Sequence, residues 1–309
     1  MRAAIIIFLA VFTTTLQAQE HKKIIITGSR FSYPLVNKWI DEFKKVHPEI
    51  QFHLIPRGTP NVDSANFIIN AHELAAEEIR PNYKVVNISR YILLPVANEK
   101  NPLVPKFQKE GIEEDELKKL FFKKYDPLAS LDEKKEKKEK YKPTLYTREQ
   151  KACAPTTFAR TYGFEQADIL GKPIAGDDNH LILAVKKDTN GITYNNLGFI
   201  YDRTTRKVQP GLFVIPVDLN GNGKLDAAEN FYGTVDNVIE EVEKKPLSAI
   251  ATGYVNISYP ADHKDNFKDL SIFLSWILEE GQKYNHEFGF LNLEEEILSK
   301  QKQLLLSVN

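Results

Sequence analysis

The chain has 309 residues, 42% of them hydrophobic, with 41 basic and 42 acidic side chains and a net charge of −1. This is enough for a sizeable core and, at this length, for two domains, and the balanced charge gives no support to nucleic-acid binding. The single cysteine, Cys153, excludes a disulfide within the chain.

Met1-Arg2 is a short positive start, Ala3 to Phe12 is almost entirely apolar, and Thr13 to Gln19 is small and polar, with Ala18 placed just before a cleavage point. The apolar run is too short to span a bilayer, so residues 1–18 read as a secretory signal peptide. No cysteine stands there to carry a lipid. The expectation is an exported, soluble protein that is not a lipoprotein, periplasmic in a Gram-negative cell.

An apolar, β-branched run, Lys23 to Ile26, then ends at Thr27-Gly28-Ser29-Arg30-Phe31. Leu35, Trp39, Ile40 and Phe43 follow at helical spacing. A strand, a tight turn and a helix start aim free N–H groups and a positive dipole end at whatever sits above the turn, which suits an anion. Taken alone, the segment is an ordinary βα unit with an exposed loop.

Glu49 to Ile55 alternates as a strand, Pro56 to Pro60 breaks it, and Val62 to Ile69 reads as a second short strand with a polar break. Val85 to Val96 holds strand-like stretches, and Glu113 to Phe122 is a helix preceded by Gly111. This alternation predicts α/β architecture with mostly parallel strands. Lys134 to Lys140 interleaves both charge signs and reads as a solvated surface segment. Cys153 reads as a small core residue, because the nearest histidine in sequence, His180, has no spacing that ties the two together.

Asp218 to Glu229 reads Asp-x-Asn-x-Asn-Gly-x-Leu-Asp-x-x-Glu. A hard Ca2+ ion needs six to eight oxygens, and this spacing supplies them from one loop. Asp218, Asn220 and Asn222 offer side-chain oxygens, Lys224 its carbonyl, Asp226 a direct or water-mediated oxygen and Glu229 a bidentate one. Gly223 stands at the sharp turn. A strand-like run, Leu212 to Val217, precedes the loop, and a helix, Val235 to Val242, follows it. The expectation is a structural calcium loop without the entering helix of an EF-hand. No Gly-x-Ser-x-Gly, His-Glu-x-x-His or P-loop is present, and no enzyme activity is expected.

Four segments in order resemble the phosphate-binding proteins of ABC transporters, a branch of the type 2 periplasmic substrate-binding proteins. They are Thr27-Gly28-Ser29 with Phe31, Pro34, Lys38-Trp39 and His47-Pro48; Gly111 to Leu117 with Leu120-Phe121; Thr193 to Asp202, where Leu197 to Tyr201 resembles the family's inner strand; and Phe273 to Leu278 with Glu280 to Tyr284 and Gly289 to Leu291. Arg30-Phe31 and Gln150 to Pro155 resemble the wording of the Bacteroidota-like branch.

The resemblance implies an α/β fold of two lobes with mixed, mostly parallel sheets and a hinge. Lobe 1 would take residues 19–97 and 249–309, lobe 2 residues 98–248, with crossings at Leu94 to Ala97 and Ala249 to Tyr254. It implies capture of phosphate or a related oxyanion in the cleft and delivery to an ABC-transporter permease. By the resemblance, Gly28, Ser29 and Phe31 match the first turn, Thr59 is the only hydroxyl of the second, Asp63 matches an acceptor carboxylate, and Arg148 matches the anion-binding arginine. The family's Ser-Gly-Thr falls on Ala152-Cys153-Ala154, which removes two hydroxyl donors; Thr156 and Thr157 stand nearby, and Arg30 adds a second guanidinium. A second expectation follows from those departures: the same fold reused as a structural or interaction subunit of an envelope complex, its cleft filled by protein side chains.

Overall fold

The computed structural model describes residues 23–55, 65–123, 141–261 and 267–306. Its strands are β1 (Lys23–Gly28), β2 (Gln51–Leu54), β3 (Phe67–Asn70), β4 (Tyr83–Asn98), β5 (Ile112–Glu113), β6 (Thr144–Arg148), β7 (Lys172–Ile174), β8 (Gly191–Asn196), β9 (Leu212–Val214), β10 (Val217–Asp218) and β11 (Ala251–Pro260). Its helices are α1 (Tyr33–Phe43), α2 (Val104–Glu110), α3 (Glu114–Phe121), α4 (Cys153–Thr161), α5 (Asp178–Lys187), α6 (Leu197–Ile200), α7 (Val235–Lys244), α8 (Phe267–Glu279) and α9 (Glu295–Leu306).

One twisted sheet runs through the molecule in the order β2-β1-β3-β11-β4-β8-β6-β7, with β9 on β4. Its two halves are parallel: β1 pairs with β2 and β3, and β6 with β7 and β8. The long strands that join them, β4 and β11, are antiparallel to each other and to their neighbours. The sheet is therefore mixed. The parallel part expected from the βα alternation lies in the halves, and the antiparallel part lies in the joining strands. Leu94 to Ala97 lie within β4, and Ala251 to Tyr254 within β11.

Each half buries an apolar layer. In α1 the buried side chains are Leu35, Val36, Trp39, Ile40 and Phe43, a helical stripe facing the sheet. Phe43 packs edge-on against Phe273 of α8 at 5.0 Å, and the Trp39 indole donates to the Gly281 carbonyl at 2.8 Å. On the other half, Phe158 of α4 stacks on Tyr194 of β8 at 4.1 Å. Among the described residues no helix is long and apolar enough to cross a membrane.

One expected strand is a helix. Leu197 to Ile200 forms α6, with Leu197 and Ile200 both buried, because burial at i and i+3 suits a helical turn and not strand alternation. The expected signal peptide, Thr59, Asp63 and the Lys134 to Lys140 segment lie outside the described residues.

Candidate functional site

The turn after β1 is built around Gly28, whose φ of 135° lies in the region that favours glycine. Gly28 pairs with Ile69 of β3, and Ser29 N–H donates to the Ile69 carbonyl at 3.0 Å. A short 3-10 turn, Arg30–Ser32, leads into α1. β3 lies beside β1, so the residues just after β3 emerge next to this turn. They are Ala71 and His72.

Opposite stands the start of α4. The Ser29 hydroxyl meets the Cys153 thiol at 3.1 Å, and His72 Nδ1 lies 3.2 Å from the same sulfur. The far ring nitrogen of His72 is 3.5 Å from a Glu78 carboxylate oxygen. Glu78 accepts from the Ala75 backbone N–H at 3.1 Å and pairs with Lys151 and, at 3.9 Å, with Arg160. Cys153 is buried in the core, as its sequence context suggests, but the histidine beside it is His72 and not the sequence-nearest His180. The thiol is 8% exposed, but it sits against an imidazole contributed by a loop 81 residues away, a proximity that spacing does not reveal.

Both expected threonine donors are engaged by the protein. Thr156 Oγ1 donates to the Ala152 carbonyl at 2.8 Å, a turn earlier in its own helix. Thr157 Oγ1 donates to the Ala71 carbonyl at 3.2 Å and lies 2.9 Å from the Tyr91 hydroxyl. Phe31 packs on Tyr91 at 4.9 Å and stacks on Phe290 at 5.8 Å. Phe31 also lines a cavity of about 210 Å³ with Pro34, Phe199, Arg203 and Phe288; Ser29, His72, Arg148 and Cys153 do not line it.

The two arginines have different standing. Arg30 is exposed and lies 3.9 Å from Asp177, an ion pair worth about 0–1 kcal/mol. Arg148, at the end of β6, pairs with Asp178 at 2.9 Å, both side chains nearly buried at 11% and 10% exposure. Its Nε is buried with no hydrogen-bond partner. Burial pushes the Asp178 carboxyl up, and the adjacent Arg148 offsets this only in part. The Asp178 backbone carbonyl accepts from Asn195 at 2.8 Å, which fixes the start of α5. Sequence reasoning missed His72, Asp178 and Tyr91. His72 had one usable signal, its place directly after a strand that pairs with β1.

In the 218–229 loop, Asp218 accepts from the Gly221 and Gly223 N–H groups, both at 2.8 Å. Glu229 accepts from Leu219, Asn220 and Asp226 N–H groups. Asn220 and Asn222 turn their amide nitrogens to Asp226, at 3.1 and 2.8 Å. Those two bonds hold the Asp226 carboxyl below its ordinary value. Among the described residues no three His, Cys, Asp or Glu side chains converge as metal ligands.

No family model and no curated protein matches the sequence. Solved structures do match its fold. A phosphate ABC transporter substrate-binding protein with bound phosphate from Clostridium perfringens superposes with a TM-score of 0.62 at 16% identity, covering 88% of this chain and 100% of that one. An ABC-type phosphate transport receptor from Vibrio cholerae gives 0.57 at 15% identity, covering 87% and 100%. The fold is that of a type 2 periplasmic binding protein.

Proposed function

We propose that this chain is an extracytoplasmic solute-binding protein that captures phosphate or a related small oxyanion for delivery to an ABC-transporter permease. One observation carries the reading. A nearly buried arginine, Arg148, keeps a buried Nε without a partner while Asp178 holds the guanidinium in place. A guanidinium fixed in this way suits an oxyanion, because its planar fork of donors matches two oxygens. The first turn and the start of α4 add backbone donors of the right polarity. The division into residues 19–97 plus 249–309 and 98–248, hinged at β4 and β11, belongs to the same reading, as do export by residues 1–18 and a non-enzymatic role. The Bacteroidota-like assignment rests on Arg30-Phe31 and residues 150–155 alone. Phosphate at a hundred times its Kd is expected to stabilise the protein by about 2.7 kcal/mol, seen as a rise in Tm. An unchanged Tm at millimolar phosphate contradicts the reading.

A specific contact favours the second reading, a structural or interaction subunit of an envelope complex. Ser29 and Cys153 touch directly across the junction, and Ala152 and Ala154 carry methyl groups in place of hydroxyl donors. An anion placed there must first separate the first turn from α4.

We further propose that the 218–229 loop binds Ca2+ as a structural ion. Asp218 and Glu229 are 3% and 5% exposed, and among the described residues no cationic side chain pairs with either. Buried carboxylates without a counter-charge are costly, and a hard cation supplies one. Binding would require Asp226 to turn inward and the Asn220 and Asn222 amides to present oxygen. Asp226→Ala is the discriminating variant, because Asp226 is exposed and its loss costs the metal-free fold little. In excess calcium the native protein is expected to gain Tm over the chelated sample. Asp226→Ala is expected to lose most of that gain while matching the native protein in chelator. Equal Tm values for the native protein in calcium and chelator contradict the proposal.

A further inference from the structure

We propose that Cys153 is an activated thiolate, held by a His72–Glu78 relay, and that it is a site of oxidation by small hydroperoxides. Two side chains and a helix N-terminus meet at its sulfur. The sulfur is 3.2 Å from His72 Nδ1 and 3.1 Å from the Ser29 hydroxyl, and it sits on the first residue of the nine-residue helix α4. The other His72 nitrogen faces Glu78 at 3.5 Å and has no hydrogen bond in this conformation. A histidine between a thiol and a carboxylate can take the thiol proton and remain charged, and a helix N-terminus favours the anion. Burial disfavours the charged forms of both groups. The hydrogen bond and charge they exchange outweigh it, so the thiol moves down and the imidazole up.

The surrounding charges are few. Glu78 raises His72, while Arg160, on the same helix as Cys153, lowers it. Lys151 pairs with Glu78 from the segment before α4. Tyr91, packed against the site from β4, stays neutral because burial pushes its hydroxyl well up.

The chemistry balances without another residue. The thiolate attacks one peroxide oxygen, the S–O bond forms, and the O–O bond breaks with its electron pair leaving on the distal oxygen. Sulfur loses two electrons. The departing hydroxide (an alkoxide when the peroxide is organic) takes the proton from the His72 imidazolium and leaves as water (or the alcohol), giving a neutral sulfenic acid beside a neutral imidazole. The chain has no second cysteine, so no internal disulfide can follow. The added oxygen has no room between Ser29 and His72 at their present separations from the sulfur, so oxidation is expected to push the first turn away from α4.

The test uses the full mature chain. The thiolate ultraviolet absorbance is followed against pH for the native protein, His72→Asn and a Cys153→Ser blank, and sulfenic acid is trapped with dimedone and read by mass spectrometry after hydrogen peroxide. The native thiol is expected to titrate below the ordinary cysteine value and to form the adduct at pH 6. His72→Asn is expected to return the titration to or above the ordinary value and to slow adduct formation at pH 6 by about tenfold or more. Glu78→Gln is expected to give an intermediate result with the fold intact. A native titration at or above the ordinary value overturns the proposal, as does an adduct rate unchanged by His72→Asn.

Discussion

Asp178→Ala is expected to destabilise the protein by about 3–5 kcal/mol, more than Arg148→Ala does, although the two residues form one ion pair. The asymmetry follows from proton chemistry. Removing Asp178 leaves a buried guanidinium that cannot shed its charge. Removing Arg148 leaves a carboxylate that burial already pushes up, and it escapes by taking a proton. Arg148→Ala should therefore lose stability as pH rises through the raised Asp178 value, since the folded state holds a proton that the unfolded state releases at lower pH. The paired change Arg148→Met with Asp178→Leu is expected to recover most of the loss while still lacking anion binding. Urea unfolding of the three variants checks the order, and a larger loss from Arg148→Ala than from Asp178→Ala contradicts it.

Gly28→Ala is expected to cost about 4 kcal/mol or more and, on the oxyanion-binding proposal, to remove phosphate binding. A Cβ there would stand 2.1 Å from the Ile69 carbonyl oxygen and 2.6 Å from its nitrogen. Both belong to the backbone of the neighbouring strand, so no side chain can give way. The positive φ adds its own strain, on the order of 1–3 kcal/mol. Relief requires β1 and β3 to part at their C-terminal ends, which carry Ser29 and lead to His72. Gly253→Ala is a useful comparison. Its Cβ would meet the Thr157 methyl and the Tyr91 ring, both at 2.8 Å, which are side chains with some freedom to move, so its cost should be smaller. A midpoint for Gly28→Ala close to that of the native protein would contradict this.

The fold was largely legible because its signals are local. β-branched runs marked β1 and β4, apolar alternation marked β2, and the spacing of Leu35, Trp39, Ile40 and Phe43 marked the buried face of α1. The misread element, α6, is four residues long and apolar, too short for periodicity to separate a helical turn from a strand. The site was only partly legible, because its residues are joined by topology. Arg148 and the first turn stand out from local sequence. The pairing of Arg148 with Asp178 depends on where α5 begins, and the pairing of Cys153 with His72 depends on β3 lying beside β1. Neither follows from spacing, since the partners lie 30 and 81 residues apart. The threonines near α4 were legible as residue types but not as geometry, because their hydroxyls are already bonded to carbonyls.

The most direct measurement is a calorimetric titration of phosphate, with sulfate as the control, into mature protein freed of bound anion by unfolding and refolding, alongside Arg148→Ala. An oxyanion-binding role predicts saturable, single-site heat from the native protein and none from Arg148→Ala. No heat with either anion would contradict it and would favour the interaction-subunit reading, in which Ser29, His72 and Cys153 fill the cleft.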